Sequence, residues 1–149
     1  MDAAHRLQRW WAQTNTGITT EMVSEQQIVE LERSYHVVLP KDFRQYLRVS
    51  SPVGEGMDAE MVTWWGISRV KNIPNEYPHA LAPIISDEGK KYLFFADYCI
   101  WCWAWAISCA DDDSRGKVAL IAGDTYDRFV ANSFSDFVQK YLSDARSVM

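Results

Sequence analysis

Between residues 99 and 108 the chain reads Cys-Ile-Trp-Cys-Trp-Ala-Trp-Ala-Ile-Ser, and this alternation limits the fold more than any other stretch. In an extended strand, successive side chains point to opposite faces of the sheet. Trp101, Trp103, Trp105 and Ile107 therefore share one face, and Cys102, Ala104, Ala106 and Ser108 share the other. A face of small side chains lets another layer approach closely, so it is expected beneath a helix. The tryptophan face is then either a further part of the core or a partly exposed aromatic platform bordered by loops.

The flanking segments place this strand in a mixed fold. Leu7, Trp10 and Trp11 recur at helical spacing over residues 3–13, and Asn15-Thr16-Gly17 ends that pattern. Ser24-Glu25-Gln26-Gln27 is a capping box ahead of a second helix with Ile28, Leu31 and Tyr35 on its buried stripe. Leu39-Pro40 breaks the pattern, and a third helix from Lys41 buries Phe43, Tyr46 and Leu47. Residues 61–67 read as a strand in which Trp64 and Trp65 point to opposite faces. Pro74, Pro78 and Pro83 exclude a long element over 68–83 but leave room for a helical turn. Runs at 92–96, 100–108 and 117–122, with a short one at 128–131, are separated by polar, glycine-containing loops and form a β-meander. Ser133-Phe134-Ser135-Asp136 is a second capping box, and Phe137, Val138, Tyr141 and Leu142 stripe a terminal helix. The expected class is α+β: N-terminal helices, a central antiparallel meander and a C-terminal helix, with one layer of helices on the sheet.

A chain of 149 residues, 48% of them hydrophobic, has the means to form one domain, and no linker divides it. The net charge of -5 is concentrated in residues 50–127, which carry -6. That argues against nucleic acid as a partner, because displacing counterions from a phosphate backbone needs a basic patch. It suits a basic protein partner. No apolar run reaches the roughly 20 residues that span a bilayer. The start of the chain lacks a basic segment followed by an apolar one, so no signal peptide and no membrane association are expected. Three cysteines, an odd number, do not suggest a disulfide framework, and the expected compartment is the cytoplasm.

Several of these pieces in order resemble the SUKH superfamily, the Smi/Knr-type domains. Ile28-Val29-Glu30-Leu31-Glu32 followed by Leu39-Pro40-Lys41-Asp42-Phe43-Arg44-Gln45-Tyr46-Leu47 resembles its signature, a glutamate-bearing helix before "Leu-Pro-x-Asp-aromatic" and a further helix. Trp64-Trp65-Gly66-Ile67 is similar to its first strand, and Pro83-Ile84-Ile85-Ser86-Asp87-Glu88-Gly89 to the approach to its meander. Val130-Ala131-Asn132-Ser133-Phe134-Ser135-Asp136-Phe137 is similar to the segment before its last helix. The resemblance covers about residues 24–142 and leaves 1–23 as an N-terminal helix and loop. Its usual glycine pair after the third helix is altered here to Ser50-Ser51-Pro52-Val53-Gly54-Glu55-Gly56. The superfamily includes fungal cell-wall and signalling regulators and bacterial immunity proteins that neutralise secreted toxins, often nucleases. The resemblance implies a binding module without catalysis. An immunity protein acting by stoichiometric inhibition is the leading expectation, and a regulatory scaffold of the fungal type is the alternative. The scaffold type usually carries disordered extensions, and none is expected here.

Candidate contact residues follow from charge and aromatic content. Asp87, Glu88, Asp111, Asp112, Asp113, Asp124 and Asp127 fall in loops at the ends of the expected strands. Each is suited to a solvated turn; together they could form an acidic rim facing a basic toxin. With Trp101, Trp103 and Trp105 they have the make-up of an aromatic hot spot inside a polar border. Cys99 and Cys102 have metal-knuckle spacing, but an extended strand would point them apart, and no cofactor or metal is expected. His5, His36 and His79 are scattered and mark no triad. No catalytic residues are assigned, and a small enzyme is the least favoured reading.

Overall fold

The computed structural model describes residues 1–54, 56–77, 89–123 and 126–149. Helix α1 (Ala3–Gln13) starts where the Asp2 carboxylate accepts the His5 N–H at 3.0 Å, and it buries Ala3, Ala4, Leu7 and Trp11. A two-residue strand β1 (Thr20–Glu21) precedes α2 (Glu25–Tyr35). In the capping box of α2, Ser24 Oγ accepts the Gln27 N–H and Gln27 Oε1 accepts the Ser24 N–H. The helix ends at His36, whose φ of 54° turns the chain through the left-handed region. Helix α3 (Lys41–Ser50) follows Pro40 and leads into β2 (Ser51–Pro52), which pairs with β1.

The signature residues tie these helices together. Glu32 Oε2 accepts the Leu39 N–H at 2.8 Å and holds the crossover from α2 to α3. Asp42, in the first turn of α3, accepts the Ser135 N–H at 2.8 Å, joining it to a helix 93 positions away. The altered turn after α3 has a packing role as well. Ser51 Oγ accepts the Ile67 N–H, and a Cβ at Gly66 would stand 2.0 Å from the Pro52 carbonyl oxygen, so only glycine fits there.

Among the described residues the main sheet is antiparallel with six strands. They are β3 (Val62–Trp64), β4 (Lys71–Asn72), β5 (Tyr92–Tyr98), β6 (Trp103–Ser108), β7 (Val118–Ile121) and β8 (Arg128–Ala131). Their order is β3-β5-β6-β7-β8, and β4 also pairs with β5, so β6 is central. One helical turn, α4 (Ile73–Glu76), follows β4, and the rest of the proline-rich stretch, 78–83, lies outside the described residues. Helix α5 (Phe134–Ser143) begins at the Ser133 cap and is followed by a 3-10 turn, Ala145–Val148. The fold is α+β, as the sequence predicts.

Two corrections concern the central strand. It begins at Trp103, because Cys99, Ile100 and Trp101 form a left-handed turn with φ of 50°, 57° and 64°. That turn closes between the Cys102 N–H and the Tyr98 carbonyl, and Asp97 Oδ1 accepts the Trp101 N–H. The second correction is which face meets the helices. Trp105 and Ile107 lie in the larger core with Leu7, Trp11, Phe43, Leu47, Phe137 and Tyr141, so the tryptophan face packs on α1, α3 and α5. Ala104, Ala106 and Ala119 line the opposite face, in a smaller cluster with Trp65, Ile73, Tyr92 and Phe94.

Volume explains the inversion. A helix layer stands well off a sheet, and the gap takes large side chains; Trp64, Phe95 and Trp105 fill it. The alanines instead leave room for rings from β5 and from the turn to lie across the other face. A bulge between Phe94 and Ala96 adds to this. Before it Leu93 faces the helices, and after it Ala96 does, so the parity of β5 switches and Asp97 points to the smaller cluster.

Candidate protein-binding surface

The three tryptophans expected on one face are dispersed. Trp105 is wholly buried and donates its indole N–H to the Val148 carbonyl at 2.9 Å. Trp101 leaves the strand and crosses to the smaller cluster, where it stacks on Tyr77 at 5.2 Å and donates to Glu76 Oε1 at 3.1 Å. Trp103 alone stays half-buried at the margin of the helix-side face, stacked on Tyr98 with ring centres 4.5 Å apart. Its indole nitrogen is shielded and has no hydrogen-bond partner among the described residues.

Trp103 borders a groove of about 440 Å³ with Cys102, Leu120, Ala122, Tyr126, Arg128 and Met149. Tyr126 is 67% exposed and Ile100, at the tip of the left-handed turn, is 85% exposed. Three consecutive non-glycine residues in the left-handed region store about 1–3 kcal/mol each, and such strain gathers at functional sites. This end of the sheet therefore presents apolar side chains on a rigid, strained turn.

Among the described residues, the candidate acidic side chains do not gather around it. Asp111, Asp112 and Asp113 follow β6 and sit at the opposite end of the sheet from Trp103. All three are exposed; Asp112 accepts the Ser114 N–H and hydroxyl, which hold its carboxyl below the usual range, and Asp111 stands 3.9 Å from Arg115. Asp127 is at the Trp103 end but buried, its Oδ1 accepting the Ala122 and Gly123 N–H groups, so it organises the β7–β8 loop instead of lining a rim. Asp87, Glu88 and Asp124 lie outside the described residues. Among the described residues the expected acidic border reduces to the exposed Asp111 to Asp113 loop, remote from the mostly apolar groove.

The cysteine geometry also differs from a strand. The turn brings the Cys102 thiol to 3.2 Å from the Cys99 carbonyl. Partial desolvation and the neighbouring Cys99 raise the Cys102 thiol above its ordinary value, and burial pushes Cys109 up to about 12. Thiols so shifted are poor nucleophiles at neutral pH. His5 pairs with Asp2, His36 caps α2, and His79 lies outside the described residues. Among the described residues no group of three or more His, Cys, Asp or Glu side chains is placed to hold a metal ion. No described helix is long and apolar enough to cross a membrane.

Sequence reasoning missed one groove of about 470 Å³ beside α1, lined by Arg6, Arg9, Trp10 and Leu142 among others. The spacing of Arg6, Arg9 and Trp10 was the available signal, overshadowed by the acidity of the chain as a whole.

The fold and its surface together define an α+β domain with external grooves, held by a signature that serves the scaffold. The chain belongs to the SMI1/KNR4 family (SUKH-1), whose pattern matches residues 22–140. Comparison with curated proteins returns no match.

Proposed function

We propose that this protein is an immunity protein that binds a cognate secreted toxin, such as a nuclease, and neutralises it by stoichiometric protein–protein inhibition. The observation that carries the reading is the family match across residues 22–140, since this superfamily includes immunity proteins. The arrangement of the signature supports it: Glu32 and Asp42 join α2, α3 and α5, leaving the outer surface free to differ between partners. The toxin contact is assigned to the Trp103 end, where Ile100, Trp103 and Tyr126 supply aromatic and apolar area of the kind that dominates interfaces. Asp111, Asp112 and Asp113 act from a distance, steering a basic partner during encounter.

The test is co-expression with the C-terminal domain of a secreted protein encoded beside this chain. Rescued growth and a 1:1 complex by size exclusion with light scattering are expected. Loss of growth with no complex at micromolar concentrations overturns the proposal.

A further inference from the structure

Helix α1 lies ahead of residues 22–140, outside the stretch that the family pattern matches. Its eleven residues include Arg6 and Arg9 and no Asp or Glu, on a chain whose net charge is -5. Three- and four-residue spacing puts Arg6, Arg9, Trp10 and Gln13 on one outward face. They border the groove of about 470 Å³ with Met1 and Leu142. Arg6 is half-buried, Arg9 is exposed, and among the described residues neither forms an ion pair. Trp10 is half-buried and held edge-on against Tyr141, with ring centres 5.7 Å apart at 87°.

Two guanidinium groups without an ion pair among the described residues, beside a fixed indole, form a recognition surface in which charge and apolar contact coincide. Guanidinium forks pair with carboxylates through two parallel hydrogen bonds. Arginine and tryptophan are also the residues that most often dominate binding at interfaces. Two cations on an acidic protein are too few for a nucleic-acid backbone, which needs a run of phosphate contacts.

We infer that the α1 groove docks an acidic segment of the toxin partner, one that presents two carboxylates about one helical turn apart with an apolar residue over Trp10. This rests on the reading of the chain as a toxin-binding protein and specifies the chemistry of a second contact. The stretch from the last turn of α5 to Met149 links the two contacts, since Leu142 lines the α1 groove and Met149 the Trp103 groove. A partner engaging both would place apolar surface on the Trp103 groove and an acidic segment on α1.

The experiment uses the full chain, the variant R6E/R9E and the milder R9E, each checked for an unchanged thermal transition. R9E alters one exposed side chain and keeps the test open if the double variant unfolds. The probes are a helical peptide with two Glu four residues apart flanking Leu, and its Gln counterpart. NMR is expected to show saturable shifts of the Trp10 indole N–H and the Arg6 and Arg9 side chains with the Glu peptide, weakening with salt. The Gln peptide and R6E/R9E are each expected to lose the effect by about tenfold or more in affinity. Equal response to both peptides, shifts confined to other surfaces, or stronger binding of a single-stranded oligonucleotide overturns the inference. The toxin domain gives the separate arm. Glu-peptide binding by a chain that binds no toxin refutes the immunity reading while the groove chemistry stands. Toxin binding equal in the parent and R6E/R9E refutes this inference alone.

Discussion

Trp64 and Trp65 are consecutive, yet each donates its indole N–H at 2.7 Å to a buried aspartate on a different face of the sheet, Trp64 to Asp58 and Trp65 to Asp97. Asp58 also accepts the Tyr141 hydroxyl at 2.6 Å and the N–H groups of Glu60 and Val62, and burial with the Asp58 charge pushes the Tyr141 phenol far up. Asp97 accepts one further donor, the Trp101 N–H. Each carboxylate is the hub that lets a large polar-tipped ring enter the interior.

Replacing either hub leaves buried donors unpaired. Asp58→Ala is expected to lose about 3 kcal/mol and Asp97→Ala about 2 kcal/mol, from charge-assisted hydrogen bonds removed on one side only. Urea unfolding measures both, and equal losses would show that the number of donors does not set the cost.

The two strand tryptophans separate core from surface. Trp105→Ala is expected to cost about 3–5 kcal/mol, as for other buried aromatic truncations. Trp103→Ala loses its stacking on Tyr98, about 0.5–1.5 kcal/mol, together with part of its half-buried apolar area, less than Trp105→Ala, so the fold persists while toxin affinity drops. A thermal scan beside a binding titration reads both; intact binding by Trp103→Ala would remove this end from the interface.

Ile100 is a β-branched residue in the left-handed region with its side chain in solvent. Asparagine tolerates that conformation, so Ile100→Asn is expected to stabilise the protein by about 1 kcal/mol. Weaker toxin binding in the more stable variant would be the mark of strain kept for contact; a lower melting temperature contradicts the account.

Glu76 makes acid stability specific. Desolvation raises its carboxyl, but the two Arg69 hydrogen bonds, the Arg69 charge and the Trp101 indole N–H outweigh it, leaving the pKa below the ordinary 4.5. A carboxyl lowered in the folded state adds stability above its unfolded value and loses it as pH falls through the folded one. Trp101 fluorescence and stability are therefore expected to change together below about pH 4.5. Glu76→Gln should flatten that part of the profile; an identical acid transition in the variant assigns the loss elsewhere.

Charge reversal at Asp111, Asp112 and Asp113 together is expected to slow association with a basic toxin and alter its salt dependence, leaving dissociation nearly unchanged. Stopped-flow rates at several ionic strengths decide this, and unchanged rates exclude steering by that loop.

The sequence by itself determined what is written locally. The Ser24–Gln27 cap, the stripes of Leu7, Phe43 and Phe137, and the opposed faces of Trp64 and Trp65 follow from periods of 3.6 and 2 that need only near neighbours. Alternation showed that β6 has two unlike faces, but the small side chains pointed to the wrong one as the face beneath the helices. That depended on the volume of rings contributed from α1, α3 and α5, remote in sequence. The bulge at Phe95 and the left-handed turn at Cys99 to Trp101 likewise arise when β5 and β6 pair around Asp97, an event no local pattern encodes. So it is with the surface. The acidity of Asp127 was legible, but tertiary structure turned it into a buried loop clasp, and among the described residues it left Arg6 and Arg9 without an ion pair beside Trp10. Periodicity assigns a side chain to a face; only packing decides what lies across from it.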